Sequence, residues 1–318
     1  MNTVLIESTV LKALQAATPV VALETAVLTC GLPRTVWNDA YGACPEGIDP
    51  TLPLHLALCL AMHRVVRDAG ATPATCGVLD GRAIVGLTDA HCVQLAEAPA
   101  AKASPETLAL HLVGGTSAGT TVGGSLRLLE AAAQDAPPVR FFATGGIGGV
   151  HRNWQQLPDI SADLATIARV PVAVICAGAK SILDLPATVE ALHTLGVPLV
   201  GLDCDLLPAF LAAGDEHAPP VQNVSNVPAL VQAHWDMDGG GVVLVQNPPA
   251  DTALSFDHAT MLAQDAEAQC TASGADRTPA LLGIMAKQSE GASLRANIAL
   301  LLANARTAAG LATNCCRN

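Results

Sequence analysis

The chain has 318 residues, of which 51% are hydrophobic and only 14% charged, with aromatics at 3% and a formal charge of −12. That length and apolar content suffice for one large core built from small aliphatic side chains, so a single catalytic domain over residues 1–318 is expected. The acidic balance argues against nucleic acid or an anionic membrane as partner, since both require a basic face. The ten cysteines show neither disulfide-framework nor zinc-site spacing and follow no basic, apolar leader. Reduced thiols in a soluble, cytoplasmic protein are therefore expected.

In chain order, six short runs rich in Val and Ile read as buried strands: residues 19–23, 74–79, 139–143, 170–175, 197–202 and 241–245. Ala- and Leu-rich helical stretches fall at 51–69, 125–133, 160–168, 187–195 and 228–234, and residues 257–272 and 278–309 read as wholly helical. This alternation predicts an α/β fold with a mainly parallel central sheet, helices on both faces and a helical C-terminal region. Residues 37–53 and 214–227, rich in turn formers, read as loops. The first is taken as an insertion exposing Trp37, Tyr41 and Cys44, suited to a lid, a subunit contact or an inert loop. Residues 310–318 are expected to form a flexible tail.

Ionisable residues are scarce, so those at strand ends stand out. Glu24 directly follows Val20-Val-Ala-Leu23, at the carboxyl end of a strand, where open α/β sheets place ligands. Burial there would raise its pKa and make it an acid, while a structural carboxylate is the competing reading. Lys180 follows the strand Val172-Ala-Val-Ile-Cys176 and a turn of small residues. Desolvation disfavours an ammonium ion and leaves an amine able to attack a carbonyl; an ion pair with Asp184 or a point charge for phosphate are the alternatives. Asp159 and Asp163, four apart around Ser161, suit Mg²⁺ or Mn²⁺, or simply a helix N-terminus capped by Asp159. The glycine runs 114–121 and 144–151 offer backbone N–H groups to an anion but match neither a P-loop nor a dinucleotide fingerprint.

Several segments together resemble the pseudouridine-5′-phosphate glycosidase family, also labelled indigoidine synthase A-like: Val21-Ala-Leu-Glu-Thr25, Thr144-Gly-Gly-Ile-Gly-Gly-Val-His-Arg152, Asp159-Ile-Ser-Ala-Asp-Leu164, Cys176-Ala-Gly-Ala-Lys-Ser-Ile-Leu-Asp184 and Ser293-Leu-Arg-Ala-Asn-Ile298. The resemblance implies reversible cleavage of pseudouridine 5′-phosphate to uracil and ribose 5-phosphate, a divalent ion, typically Mn²⁺, and a homotrimer. It makes Lys180 the imine-forming lysine, Glu24 the proton donor and Asp159 the metal-associated carboxylate. It places Lys102, Val122, Thr144, His151, Ser161, Ala162, Asp163 and Asn297 against the substrate. Where the family carries two arginines after Ser104 and a lysine after Gly115, this chain has Pro105-Glu106 and Thr116, so the phosphate contact is expected to be weaker. A C-nucleoside lyase or synthase joining ribose 5-phosphate to another aromatic acceptor, or using a sugar without phosphate, is the nearest alternative. A ribokinase-like sugar kinase, with its catalytic aspartate sought in Asp236-Met-Asp-Gly-Gly240, is a further one.

Overall fold

The computed structural model describes residues 4–156, 158–272 and 277–317; residue 318, in the tail expected to be flexible, lies outside these. The strands are β1 Val4–Ile6, β2 Val20–Leu23, β3 Thr72–Leu79, β4 Arg82–Val85, β5 Ala101–Ala103, β6 Ala118–Thr120, β7 Phe141–Ala143, β8 Ala173–Cys176, β9 Leu199–Gly201, β10 Gln222–Asn223 and β11 Val242–Val245. The helices are α1 Ser8–Gln15, α2 Ala26–Thr29, α3 Leu54–Asp68, α4 Asp89–Glu97, α5 Leu108–Gly114, α6 Val122–Ala132, α7 Ala162–Arg169, α8 Leu185–Thr194, α9 Val227–Asp236, α10 Phe256–Gln269, α11 Arg277–Gln288 and α12 Ala292–Arg317. Each of the six predicted strands is present, and the predicted helices are present with two corrections: residues 278–309 are broken between α11 and α12, where Glu290 and Gly291 take φ of 49° and 79°, and α10 ends at Gln269 rather than at residue 272, while β10 lies within the segment expected as a loop at 214–227.

All strands join one sheet in the order β1, β4, β3, β2, β7, β8, β11, β9, β10, with β6 added to β3 and β5 to β6. Every residue of β2, β8 and β11 is buried. Successive strand residues face opposite sides, so both sheet faces are covered there, which is why these strands read as unbroken apolar runs. The pairing from β3 through β2, β7, β8, β11 and β9 to β10 is parallel, but β3 pairs antiparallel with β4 and β6. The β3–β4 turn is Asp80-Gly81, with φ of 49° and 72°, the two positive values that a tight hairpin requires.

Between β2 and β7 the chain changes direction of winding: β3 and β4 build outward from one side of β2, and β8 and β11 from the far side of β7. The crevice at such a switch point, outside the strands' carboxyl ends, is where this class of sheet binds ligands.

Two expectations about mobile segments are corrected. The C-terminal residues do not fray: α12 runs to Arg317, because Ala308, Ala309 and Ala312 are buried on its inner face and Thr313 Oγ1 donates to Ala69 O at 3.3 Å. Trp37 is not exposed but buried, its indole Nε1 donating to Gly42 O at 2.9 Å, and Ile48 is buried as well. The ten cysteines are free thiols. No helix among the described residues is long and apolar enough to cross a membrane.

Candidate active site

The carboxyl ends of β2, β7 and β8 open onto a cavity of about 740 Å³. Nine of the eleven residues singled out from sequence line it: Glu24, Lys102, His151, Asp159, Ser161, Ala162, Asp163, Lys180 and Asn297. Val122 does not; it is wholly buried at the start of α6 and packs in the core. Thr144 is also wholly buried and reaches the site through another residue.

That residue is Glu24. Leu23 and Ala143 are register partners in the β2–β7 pair, so the residues that follow them, Glu24 and Thr144, emerge side by side, and Thr144 Oγ1 donates to Glu24 Oε1. Burial pushes the Glu24 carboxyl above the usual carboxylate range, against the opposing pull of the Lys180 charge and the Thr144 hydrogen bond. Burial of this kind favours the protonated form of a carboxyl relative to one in water.

The segment after β8 continues to pair with the segment after β7. Ala177 N donates to Gly145 O at 2.9 Å, Ile147 N to Gly178 O at 3.1 Å and Lys180 N to Ile147 O at 3.3 Å. Gly178 permits this course, since its φ is +82° and a Cβ would stand 2.1 Å from Pro208 O. Lys180 is thus carried to the cavity on a tethered backbone, where its charge acts on Glu24, Lys102 and His151. Asp184 is not its partner: Asp184 Oδ1 accepts from Ala187 N at 3.0 Å and caps α8, which begins at Leu185.

Asp163 fastens two parts of the site together. Its Oδ1 accepts from Gly123 N at 2.8 Å, in the first turn of α6, and its Oδ2 from Gly148 N at 2.9 Å, in the glycine-rich run. Gly148 cannot be larger, because a Cβ would lie 2.2 Å from Ser161 Oγ. Ser161, not Asp159, caps α7, its Oγ accepting from Asp163 N at 3.2 Å. Asp159 is therefore released from a capping role, with its side chain 52% exposed and its Oδ2 3.9 Å from His151 Nε2. Burial lowers the His151 pKa, and the Asp159 carboxylate opposes that shift. Lys102, on β5, is depressed by burial and then by the Lys180 charge.

Residues not foreseen from sequence complete the site. Asn304, buried on α12, donates through Nδ2 to Thr144 O at 2.8 Å and Gly145 O at 3.3 Å. Its Oδ1 accepts from Gln246 Nε2 at 2.7 Å, and Gln246 Oε1 accepts from Thr307 Oγ1 at 2.8 Å. The signal was present: Asn297 and Asn304 are seven apart, two turns along one face of an otherwise Ala- and Leu-rich helix. Phe210, at φ +62°, also lines the cavity, with its ring against Gly145 and Gly146. Arg277 adds a cation to the lining and pairs with Glu267. The kinase alternative finds no support here: Asp236 ends α9 instead of beginning a helix, and it is not part of the cavity lining.

Residues 48–314 match the family described as indigoidine synthase A like protein. A pseudouridine-5′-phosphate glycosidase of Myxococcus xanthus is 38% identical over 312 residues, covering 95% of this chain and 94% of the relative. One from Roseiflexus is 39% identical over 313 residues, covering 95% and 92%. Among solved structures, the prealnumycin C-glycosynthase AlnA in complex with ribulose 5-phosphate superposes with a TM-score of 0.83 at 30% identity, covering 100% of this chain and 98% of that one. An indigoidine synthase A-like protein of Thermotoga maritima gives 0.83 at 26% identity, with the same coverage. With its fold, its strand-end cavity and both kinds of relative in agreement, the chain belongs to the indigoidine synthase A-like family.

Proposed function

We propose that the protein reversibly cleaves the carbon–carbon glycosidic bond of pseudouridine 5′-phosphate, giving uracil and ribose 5-phosphate, with Lys180 as the covalent catalyst. The observation that carries this reading is the convergence of Lys180 and Glu24, a buried carboxyl whose pKa is raised by that burial, on one cavity. The names of the curated relatives point to the same reaction.

The bond to be broken has no basic leaving atom, so protonating the leaving group as ordinary glycosidases do is unavailable. Glu24 instead gives its proton to the ring oxygen as the Lys180 amine bonds to C1′, opening the sugar. The nitrogen lone pair then forms an imine at C1′ while the bonding pair departs on C5 of uracil, which takes up a proton. Water hydrolyses the imine, so one water is consumed overall and Lys180 is regenerated. Asp163 and Gly148 hold the cavity wall, and Asn297 offers an amide to the base or sugar. For the phosphate, the lining supplies Lys102 and Arg277 besides Lys180, while Glu106 faces the same space.

A divalent ion, Mn²⁺ by family resemblance, is part of the proposal. Asp159 fits it as a half-exposed carboxylate on the cavity, beside His151, an arrangement suited to a hard cation that keeps most of its waters. Bound there, the ion would supply positive charge at the cavity rim. Assembly as a homotrimer and a cytoplasmic location, which keeps the free thiols reduced, complete the reading.

The test is direct. Pseudouridine 5′-phosphate with Mn²⁺ should yield uracil in step with ribose 5-phosphate, and unphosphorylated pseudouridine should be cleaved more slowly. Absence of uracil from both would overturn the assignment.

A further inference from the structure

Helices α3 and α4 carry a side-chain cluster that the proposed reaction does not use. Cys59 and His63 are four apart on α3, a spacing that shares a helix face, and Cys92 meets them from α4. The two thiol sulfurs and a ring nitrogen of His63 all lie within 4.8 Å of one another. All three residues are buried and none lines the catalytic cavity. Around the two cysteines the packing is aliphatic, with Leu56, Leu79, Leu87 and Leu95 in the same buried cluster. No local Cys-x-x-Cys pair announces such a group, because helix packing brings its third member in.

His63 is held as a ligating imidazole is held. Its Nδ1 is 2.6 Å from Asp89 Oδ1 and its Nε2 is 2.6 Å from Thr75 Oγ1. Asp89 is fixed in turn by the Arg67 guanidinium, which donates to its two oxygens at 2.9 and 3.1 Å. An imidazole that takes a metal gives up one such bond to the ion and keeps the other as the partner that orients the ring. Asp89, half-exposed at the start of α4, connects the cluster to solvent.

We propose that Cys59, His63 and Cys92 form a site for a thiophilic divalent cation, zinc foremost, separate from the cation proposed at Asp159. Tetrahedral zinc, with bonds of about 2.3 Å to sulfur and about 2.0 Å to nitrogen, needs its ligand atoms roughly 3.5–3.8 Å apart, a closure of about 1 Å that side-chain rotation supplies. Charge selects the ion. Two thiolates and a neutral imidazole cancel a divalent cation and leave no net charge among aliphatic neighbours, whereas monovalent copper would leave one negative charge there. Sulfur and imidazole equally disfavour Mg²⁺ and Mn²⁺, which prefer oxygen. Each thiol releases its proton to solvent as its S–Zn bond forms, so no oxidant or reductant is needed. A water on the Asp89 side completes the tetrahedron. The ion clamps α3 to α4, and because Leu28 of α2 belongs to the same buried cluster, the clamp stiffens the wall behind the helix that follows Glu24.

The test uses the full chain carrying Asp159→Ala, which removes the other proposed cation ligand, stripped with a chelator and titrated with Co²⁺ and then Zn²⁺. Bound Co²⁺ should show thiolate-to-metal charge-transfer absorption together with the strong visible bands of a tetrahedral ion, and equimolar Zn²⁺ should abolish both and raise the melting temperature. Cys59→Ala and Cys92→Ala should each weaken zinc binding by more than about 100-fold. Cys316→Ala, at the exposed thiol of the C-terminal pair, should leave it unaltered. In protein with all its cysteines, zinc should also slow alkylation of Cys59 and Cys92 but not of Cys316, mapped by mass spectrometry, a readout that holds whether or not the alanine variants fold. Cobalt bound without charge-transfer absorption, zinc affinity untouched by replacing Cys59 or Cys92, or alkylation of the two thiols indifferent to zinc would each overturn the inference. So would a Cys59–Cys92 disulfide formed in air by protein that takes up no zinc.

Discussion

In the proposed mechanism Glu24 serves chemistry at a cost to folding. Because burial raises its pKa, the folded state binds its proton more tightly than the unfolded chain does. The stability that this contributes is complete below the ordinary carboxylate pKa and is lost as pH rises through the raised one. Glu24→Gln should therefore melt higher than wild type at alkaline pH, with the advantage shrinking in acid, while turnover falls by roughly 100-fold or more for want of a proton donor. A melting difference independent of pH would contradict this. In the wild-type enzyme, kcat should fall on the alkaline side as Glu24 loses its proton. The position of Glu24 was legible in the sequence because a carboxylate at the end of an unbroken apolar run has few other places to be. Thr144 was legible only as part of a motif, since its orientation toward Glu24 depends on the β2–β7 register, which pairs residues 120 apart.

At the scale of elements, the site is held by helices that report to the loops after β7 and β8. Asp163 joins the starts of α6 and α7 to the glycine-rich run, so Asp163→Ala would strand two buried N–H groups and should cost about 2–4 kcal/mol in urea unfolding. Asn304 on α12 holds the Thr144–Gly145 carbonyls. Asn304→Leu should lower kcat with little change in KM and displace the alkaline limb of the pH profile, because it acts on Glu24 through Thr144; an unaltered profile would reduce Asn304 to a structural part. Strands buried on both faces were readable as Val- and Ile-rich runs, whereas β1, β5 and β6 were not. Those three are only three residues long, and their strand state comes from the neighbours they pair with. The β3–β4 hairpin had a readable turn in Asp80-Gly81, but its antiparallel strand was masked by the α/β alternation around it.

Across the whole molecule, the switch in winding between β2 and β7 turns residues far apart in sequence into one site, with Glu24, Asp163, Lys180 and Asn297 on a shared cavity. The insertion at residues 37–53 docks on the same hydrophobic core. Composition suggested exposure, yet the indole of Trp37 and Ile48 bury themselves against the body, a tertiary outcome that local polarity conceals. Trp37→Ala should cost about 3–5 kcal/mol, measured by chemical denaturation; a cost below about 1 kcal/mol would mean that the segment does not dock. The central claim, that this architecture exists to present Lys180 as an imine-forming amine, is tested most directly by adding borohydride with ribose 5-phosphate and mapping the product by mass spectrometry. The account predicts one reduced pentose phosphate adduct on Lys180, absent from Lys180→Ala. A protein left unmodified, or an adduct on Lys102 that persists when Lys180 is replaced, would contradict it.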